Sequence, residues 1–364
     1  MARDYYTVTL DILTVISLFA GIIMFFYPKE QKKKFVTYKR SRYIAGIVFL
    51  LYGILCFVHS NFQLRSVNAL HASAFSLSIY YLSGILFGYS LISLINKEYF
   101  NRRRIILDIL RYFIFTLFIA ATLVLDPPYA RIALFGSAIY FFVDIVRIIT
   151  LFKKNYQKCV KGIHNYYSEY NIQHYVDWLY RASVLIMAYG LSFALVAYTS
   201  SFFITIFSFI GIFLMAYIVL AFNNYLMFVE KIDLSQEDII QECSESIAPI
   251  TASLSYAGIE HKLQRWIKQK KFMSESITIV TLSAELKTNR TYLSCYINNT
   301  YSCSFRDFVS KLRIDEAKRM LKDDDSKGLH EIATIAGFSS TSSFYRTFKK
   351  YEDKTPTNYR EEVL

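Results

Sequence analysis

The chain has 364 residues, of which 54% are hydrophobic and 17% aromatic, and it carries a formal net charge of +12. Its mean hydropathy of +0.28 is positive despite that charge, a combination that argues against an ordinary soluble domain. The excess of apolar residues lies almost wholly before Leu226, the stretch 225–260 is acidic, and residues 261–364 are basic. Three regions of different character therefore follow one another along the chain.

The first region contains seven apolar runs that are long enough, or nearly so, to cross a membrane. A hydrocarbon core of ~30 Å takes about 20 helical residues to cross. Asp11 interrupts the first run and Tyr27-Pro28 makes a poor cleavage site, so this run is predicted to be a true span rather than a signal peptide. The predicted spans are Val8–Tyr27, Ile44–Phe62, Leu70–Ile95, Ile105–Leu125, Ile132–Phe152, Arg181–Tyr198 and Phe202–Leu226.

The charge of the connecting segments predicts the orientation of these spans. The segments after spans one, three and five hold clusters of lysine and arginine, whereas the alternate segments are nearly bare of charge. Because positively charged loops stay in the cytoplasm, we expect an outside N-terminus and a cytoplasmic C-terminus in a bacterial inner membrane. The connection from Lys153 to Tyr180 is interpreted either as a helix along the inner leaflet or as a plain connecting segment.

Four ionisable residues fall inside predicted spans four and five. Asp108 and Arg111 are three residues apart, as are Asp144 and Arg147, and both pairs lie towards the cytoplasmic end. Since a charged group in hydrocarbon costs several kcal/mol unless it is paired or hydrated, we expect the pairs to meet between adjacent antiparallel helices. The cluster is interpreted either as a structural ion-pair network or as a switch whose pairing changes with a signal.

Downstream, the apolar spacing becomes that of short amphipathic helices. The acidic stretch 227–260 is predicted to extend span seven as a helix and then to form a looser linker. Thr278 is a predicted N-cap, and Thr288 with Asn289 is predicted to turn the chain before a second short helix. Phe305–Leu321 is predicted to be one helix of about 25 Å, at ~1.5 Å per residue.

The thirteen residues from Gly337 to Lys349 repeat the same pattern of helix, turn and helix. Two apolar pairs precede Gly337 at helical spacing, and glycine best supplies a left-handed turn after such a helix. Ser339 is a predicted N-cap. The helix that follows carries Phe344 and Phe348 on one face and polar or basic residues on the other. This arrangement predicts a helix-turn-helix unit.

A series of residues at fixed spacings runs through this region: Phe305, Leu312, Arg313, Ala317, Leu321, Ile332, Ala333, Gly337, Phe338, Ser343, Phe344, Arg346, Phe348, Lys349, Thr355, Pro356, Tyr359 and Arg360. With these residues, the last hundred positions resemble the DNA-binding domain of the AraC/XylS transcriptional regulators. The resemblance implies two helix-turn-helix units, at about 278–298 and 328–350. On a stiff connector, two such readers enter successive major grooves roughly 34 Å apart.

The resemblance places the base contacts in the second helix of each unit. By position, the base-contact candidates are Thr291, Ser294 and Cys295 in the first unit and Ser342, Tyr345 and Arg346 in the second. The phosphate-contact candidates are Arg290, Lys349, Lys350 and Arg360. The family often has arginine where Cys295 stands and lysine where Asn298 stands, so the first reader lacks charge in this chain.

These patterns predict an all-α protein with a polytopic seven-helix transmembrane bundle over 1–226, an acidic linker over 227–260 and a cytoplasmic double helix-turn-helix domain over 261–364. We interpret it as a membrane-embedded one-component transcriptional regulator. Its expected partners are double-stranded promoter DNA, the lipid bilayer and an unidentified signal ligand or membrane partner, with a homodimer and RNA polymerase as further candidates. The competing hypothesis is a receptor or transport-like module whose C-terminal domain docks a protein.

The sequence contains no catalytic motif, no paired cysteine spacing and no histidine–carboxylate pattern for a metal. We therefore predict no enzyme activity, no metal site and no cofactor.

Overall fold

The computed structural model describes residues 4–26, 35–168, 171–196, 201–226, 229, 249–274, 276–323 and 327–363. Over these residues the chain is almost entirely helical and forms no strand beyond one isolated bridge between Tyr167 and Thr278. The predicted all-α class is therefore confirmed. Two compact units are present: Met1–Gln157 with Tyr175–Glu230, and Lys158–His174 with Lys231–Leu364.

In the described residues, eight helices precede the C-terminal domain, and seven of them are long. Their bounds are α1 Tyr5–Phe25, α2 Val36–Phe62, α3 Leu64–Val67, α4 Ala69–Ile95, α5 Arg102–Val124, α6 Pro127–Tyr166, α7 Asn171–Val196 and α8 Ser201–Leu226. Six of them, namely α1, α2, α4, α5, α6 and α8, are long and apolar enough to cross a membrane.

The sixth span was predicted over Arg181–Tyr198, and it does not correspond to one of those six helices. The described part of that stretch belongs to α7, which begins at Asn171 and so includes Asp177 and Arg181. Residues 197–200 lie outside the described residues. The count of seven spanning helices remains a prediction.

Helix α6 extends far beyond its apolar part. It has 40 residues and is therefore about 60 Å long at ~1.5 Å per residue, twice the ~30 Å of a hydrocarbon core. The connection predicted from Lys153 to Tyr180 is accordingly wrong in its bounds. Helical spacing persists there because Cys159, Ile163 and Tyr166 fall on one face, and all three are buried.

The end of α1 is held by a buried arginine from α2. Arg42 is 4% exposed, and its Nε donates to the carbonyl of Met24 at 3.0 Å. Its two Nη atoms donate to the Ile23 carbonyl and to Asn223 Oδ1 of α8, each at 3.1 Å. Since the last carbonyls of a helix have no partner within it, Arg42 satisfies those of α1 and also fixes α8 beside it.

The C-terminal domain consists of seven helices in the described residues. They are α9 Pro249–Lys268, α10 Ile279–Glu285, α11 Arg290–Tyr301, α12 Phe305–Asp323, α13 Leu329–Ile335, α14 Thr341–Glu352 and α15 Pro356–Val363. A 3₁₀ turn, Lys271–Met273, follows α9. Part of the predicted looser linker is thus helical, because α9 begins at Pro249, and proline suits the first turn of a helix. Residues 230–248 of that linker lie outside the described residues.

Helix α12 is the predicted connector, and its apolar face forms the core of this domain. Of the predicted stripe, Phe305, Phe308, Val309, Ala317 and Leu321 are buried and Leu312 is half-buried. The second helix-turn-helix unit packs on the same helix through a cluster formed by Ile314, Ala317, Leu321, Ile332, Ala333, Ala336, Phe338, Phe344 and Phe348. The connector therefore carries the second unit by apolar burial.

The segment after α6 belongs to the C-terminal unit. Ser168 is 3% exposed, and both its backbone N–H and its hydroxyl donate to the carbonyl of Ile277, at 3.3 and 2.7 Å. These bonds stand directly before the N-cap of α10. They explain why Lys158–His174 groups with the C-terminal unit, whereas the sequence placed it with the spans.

Candidate nucleic-acid interface

The turn of the second helix-turn-helix unit is set by Gly337. Its φ is +88°, the left-handed conformation predicted for this position. The Phe338 N–H donates to the Ala333 carbonyl at 3.0 Å, which closes the end of α13. A Cβ at Gly337 would lie 2.4 Å from the carbonyl oxygen of Met273. Conformation and space therefore both require glycine here.

The helix that follows is capped one residue later than predicted. Ser340, and not Ser339, is the N-cap of α14: its backbone is extended and its Oγ accepts from the Ser343 N–H at 3.2 Å. The reason is geometric, because the side chain of an N-cap must reach the third N–H of its helix. His330 Nδ1 lies 2.8 Å from Thr341 Oγ1, which joins α13 to the start of α14.

The first unit has the same construction with different residues. Thr278 is the N-cap of α10 as predicted, and its Oγ1 accepts from the Thr281 N–H at 3.1 Å. The turn contains Lys287 with a φ of 51°, and Asn289 caps α11 by accepting from the Thr291 N–H at 2.8 Å. A strained lysine therefore stands in the first turn, where the second turn has glycine.

Helices α11 and α14, called here the reader helices, match residue by residue. Each has 12 residues and begins directly after its N-cap, Asn289 or Ser340. Equal positions from the N-cap pair Thr291 with Ser342, Ser294 with Tyr345, Cys295 with Arg346, and Asn298 with Lys349. The base-contact candidates of the two units thus occupy equivalent positions, and residues at this spacing share one helix face.

The second reader helix presents the more accessible set of side chains. Ser342, Arg346 and Lys349 are exposed, and Tyr345 is half-buried with its hydroxyl 3.2 Å from Thr357 Oγ1. In the first reader helix, Ser294 is only 7% exposed, while Thr291 and Cys295 are half-buried. On the face of each reader helix that carries the base-contact candidates, the positive charge therefore lies in the second unit, at Arg346 and Lys349.

The other phosphate-contact candidates differ in their surroundings. Lys350 is half exposed, and its Nζ donates to Asp307 Oδ1 at 2.6 Å. Arg360 is half-buried and donates to the Lys327 carbonyl at 2.7 Å. Arg290, at the start of α11, is half-buried. Lys350 and Arg360 thus already hold parts of the domain together.

The contact of Lys350 belongs to a small network around Asp307 on α12. Tyr351 donates to Asp307 Oδ1 at 3.0 Å, and Ser304 donates to Oδ2 at 2.8 Å. Burial acts to raise the pKa of Asp307, but the hydrogen bonds from Lys350, Ser304 and Tyr351 outweigh it and lower the pKa below its ordinary value. The charged carboxylate therefore fixes the end of the second reader helix to the connector.

Arg313 is a residue whose role the sequence pattern did not reveal. It is 3% exposed on α12, and it donates to the carbonyls of Phe272, at 2.9 Å, and Ser274, at 2.6 Å. Between those residues stands Met273, whose carbonyl faces Gly337. Arg313 therefore holds the surface against which the Gly337 turn packs. A charged residue between the apolar Leu312 and Ile314 is the signal that could have identified it.

A family model described as "Helix-turn-helix domain" matches residues 282–362, which cover most of both units and the connector. The C-terminal part of this chain is an AraC-type helix-turn-helix domain. The matched region begins within α10 and ends within α15, so the AraC-type domain includes both reader helices.

Known regulators are similar to this chain over about a quarter of its length. The "Melibiose operon regulatory protein" of Escherichia coli strain K12 is 31% identical over 86 residues, which is 24% of this chain and 28% of that protein. The "Probable transcription factor PqrA" of Proteus vulgaris is 29% identical over 104 residues, 29% of this chain and 84% of that protein. The chain thus spans about a quarter of the first relative and most of the second, and the matched relatives are regulators rather than enzymes.

One solved structure is also similar in sequence to part of this chain. The C-terminal domain of the two-component response regulator yesN from Fusobacterium nucleatum is 30% identical; the match covers 28% of this chain and 96% of that one, with a TM-score of 0.26.

Apart from the AraC-type domain, the N-terminal unit brings together the four charged residues of spans four and five. Arg147 Nε lies 2.6 Å from Asp144 Oδ1, and Arg147 Nη2 lies 3.0 Å from Asp108 Oδ1. Arg111 contacts Asp108 and stands 4.0 Å from Asp144. Both carboxylates are buried, with side chains 4% and 8% exposed. Helices α5 and α6 are therefore joined by a four-residue charge cluster.

Two tyrosines of α4 complete this charge cluster. The Tyr81 hydroxyl donates to Asp144 Oδ2 at 3.1 Å, and the Tyr89 hydroxyl donates to Asp108 Oδ2 at 2.8 Å. These bonds were not predictable from the sequence, because tyrosine in a predicted span is equally consistent with an interfacial position. Through them the cluster links three helices, not two.

Proposed function

We propose that this chain is a membrane-embedded one-component regulator that binds promoter DNA through its AraC-type domain. The observation that carries the proposal is the presence, in one chain, of that domain and of six helices long and apolar enough to cross a membrane. Such a chain needs no separate messenger, because the part in the membrane and the part on DNA are covalently joined.

The proposed orientation has an outside N-terminus and a cytoplasmic AraC-type domain. An even number of crossings would leave both ends on the same side, so this orientation requires α7 to cross as the seventh span. Support comes from the alternation of positive charge, which favours cytoplasmic placement of the segments after α1 and α4 and of the C-terminal part of α6, where Lys153, Lys154, Lys158 and Lys161 lie.

In the proposed mechanism the second reader helix supplies most of the sequence discrimination. Arg346 has the guanidinium fork that binds both acceptors of a guanine edge, whereas Lys349 provides a point charge for phosphate. Cys295 and Asn298 stand at the equivalent positions of the first reader helix, so the first unit contributes less charge.

The charge cluster is the proposed switch of the membrane part. Its four charged groups have several alternative pairings, and each group left unpaired in hydrocarbon is costly. Two discrete arrangements of α5 and α6 are therefore expected rather than a continuous range. A signal repacks this hairpin against α8, which leads into the acidic linker and so to the AraC-type domain.

The test is a promoter footprint with the full chain in lipid nanodiscs. DNA from the region upstream of its own coding sequence should be protected at two successive major grooves on one face of the helix. The matched control is Arg346→Ala with Lys349→Ala, which removes the exposed charges and should abolish protection. If the full chain protects no sequence but captures a cytoplasmic protein through the C-terminal domain, the docking hypothesis replaces this one.

A further inference from the structure

An apolar cavity of about 140 Å³ lies within the N-terminal unit. Five helices line it, namely α2, α4, α6, α7 and α8, and among its described lining residues none is Asp, Glu, Lys, Arg or His. Protein interiors pack closely and contain few voids larger than a water molecule. A cavity of about 150 Å³ with apolar walls stays dry and takes up a benzene-sized molecule, so this cavity has the volume of a small ring.

The cavity has a polar spot in its wall. Ser83 of α4 lines it, and the Ser83 Oγ is buried with no hydrogen-bond partner among the described residues. An unsatisfied buried hydroxyl is destabilising unless a ligand or water completes it. The hydroxyl of Tyr52, another lining residue, is likewise buried without a hydrogen-bond partner among the described residues. Two wall hydroxyls can thus bond to a polar group of a ligand, and the other contacts available to it are almost wholly apolar.

The lining also has open space beside it and contains flexible side chains. Gly190 of α7 lines the cavity, and a Cβ added there would meet no atom within 4 Å. Met187 and Met215 stand on neighbouring helices of the wall, and methionine side chains adjust readily to an irregular guest. The cavity therefore accepts ligands of somewhat different shape.

We infer that this cavity is a binding site for an uncharged, largely apolar small molecule carrying one hydroxyl or carbonyl group. A charged ligand is excluded because the lining supplies no counter-charge and burial of an unpaired charge is strongly unfavourable. This chemistry describes a free molecule dissolved in the membrane; the end of a lipid acyl chain would fill the apolar part of the cavity but leave the Ser83 hydroxyl without a partner. The inference rests on the proposed function in one respect: in a membrane-embedded regulator, the bound molecule is the signal.

The position of the cavity gives a bound molecule access to the charge cluster. Ile145 and Ile148 of α6 line the cavity, and each directly follows a member of the cluster, Asp144 or Arg147. On α4, Tyr80 lines the cavity and its neighbour Tyr81 donates to Asp144. A molecule in the cavity thus presses on α4 and α6 beside the bond that joins them.

The experiment uses ¹⁹F NMR of the full chain in nanodiscs, with 4-fluorophenol as the probe and empty nanodiscs as the blank. A saturable bound signal is expected for 4-fluorophenol and none for 4-fluorobenzoate, which is charged. Ser83→Ala should weaken the binding of 4-fluorophenol about tenfold, which is the effect of one hydrogen bond. It should leave the binding of 4-fluorotoluene unchanged. Gly190→Leu should abolish binding of both.

The matched control is Leu185→Phe, on the same helix at a position that is 51% exposed and outside the cavity, which should bind as the wild type does. Binding that appears only after lipid is stripped in detergent identifies an acyl chain as the occupant; binding in nanodiscs identifies a free molecule. No saturable signal in either medium, or equal binding by Gly190→Leu and the wild type at equal thermal stability, overturns the inference. The promoter footprint is measured separately on the same sample, so a failure of DNA binding leaves this result standing.

Discussion

Arg147 of α6 reaches across to Asp108 of α5, with 3.0 Å between Nη2 and Oδ1, while its Nε holds Asp144 on its own helix. One guanidinium thus neutralises two carboxylates on two helices. Arginine suits this task because its planar fork offers donors in several directions. Without it, two buried negative charges would face each other, with only the partly exposed Arg111 between them.

Removal of one member of the charge cluster should cost more than removal of a matched pair. Asp108→Ala leaves Arg111 and Arg147 with Asp144 as their one shared carboxylate, so one positive charge is uncompensated. Breaking a buried pair in this way costs about 3–5 kcal/mol. We expect the thermal unfolding temperature of the full chain in nanodiscs to fall. Asp108→Ala combined with Arg147→Ala should recover part of the loss.

Asp126→Asn is the matched control for that measurement, since Asp126 lies between the same two helices and is exposed, and asparagine is an equally good residue at the start of α6. It should leave the unfolding temperature unchanged. If the loss of stability in the double variant equals or exceeds the sum of the two single losses, Asp108 and Arg147 do not stabilise each other.

Asp144→Ala should alter regulation as well as stability. Its carboxylate accepts from Arg147 and from Tyr81 of α4, so its loss frees α4 and α6 to repack. Transcription from the target promoter should change while membrane insertion and DNA affinity do not. If the variant reaches the membrane at normal levels and regulates normally, the cluster is only a structural network.

Arg346→Ala should relax specificity at one base position. A bidentate arginine–guanine contact is worth about 1–3 kcal/mol of discrimination between bases, whereas a phosphate contact strengthens binding to all DNA sequences equally. Lys349→Ala should therefore weaken binding to every DNA sequence by a similar factor and reduce the salt dependence of binding. Cys295→Ala, at the equivalent position of α11, is the control and should have a small effect. A uniform loss with Arg346→Ala would assign that residue to phosphate.

The parts of this fold that follow from local rules were predictable from the sequence. Gly337 was identified from its neighbours alone, because a left-handed turn after an apolar helix leaves little choice of residue. The connector helix was predicted as Phe305–Leu321 and ends at Asp323. Helix periodicity and cap chemistry act over a few residues, and the sequence displays them directly.

Apart from the charge cluster, contacts between distant residues were not predictable. Arg42 was counted among the basic residues of the first connecting segment, yet it is buried against α1 and α8. Arg313 was known only as part of a resemblance, although it positions the turn that meets Gly337. Charge in a sequence indicates which side of a membrane is favoured, but it does not identify the carbonyl that an arginine will bind.

The AraC-type domain should lose stability in acid through Asp307. Its pKa in the folded protein lies below the ordinary value of 3.8, so its contribution is fully present above that value and is lost as pH falls through the folded pKa. Asp307→Asn should therefore lower the unfolding temperature at pH about 6, and the difference from the wild type should shrink towards pH about 3. Glu361→Gln, at an exposed position, should show no such pH dependence.

The proposed topology places the N-terminus outside and requires α7 to cross. A reporter enzyme that folds only in the periplasm should be active when fused after Arg65 and silent when fused after Lys34 or Arg103, because the positive segments stay in the cytoplasm. Activity in the reverse pattern would contradict the charge argument.

A fusion after Thr199, between α7 and α8, distinguishes six crossings from seven. If α7 crosses, Thr199 lies outside and the reporter is active, and α8 then returns the chain to the cytoplasm. If α7 does not cross, the same fusion is silent and α8 would carry the AraC-type domain out of the cell, away from DNA. Activity at Thr199 together with silence at the C-terminus is therefore the outcome that a regulator requires. Because α8 separates Thr199 from the AraC-type domain, silence at Thr199 would place that domain outside and contradict the binding of DNA, whichever side holds the N-terminus.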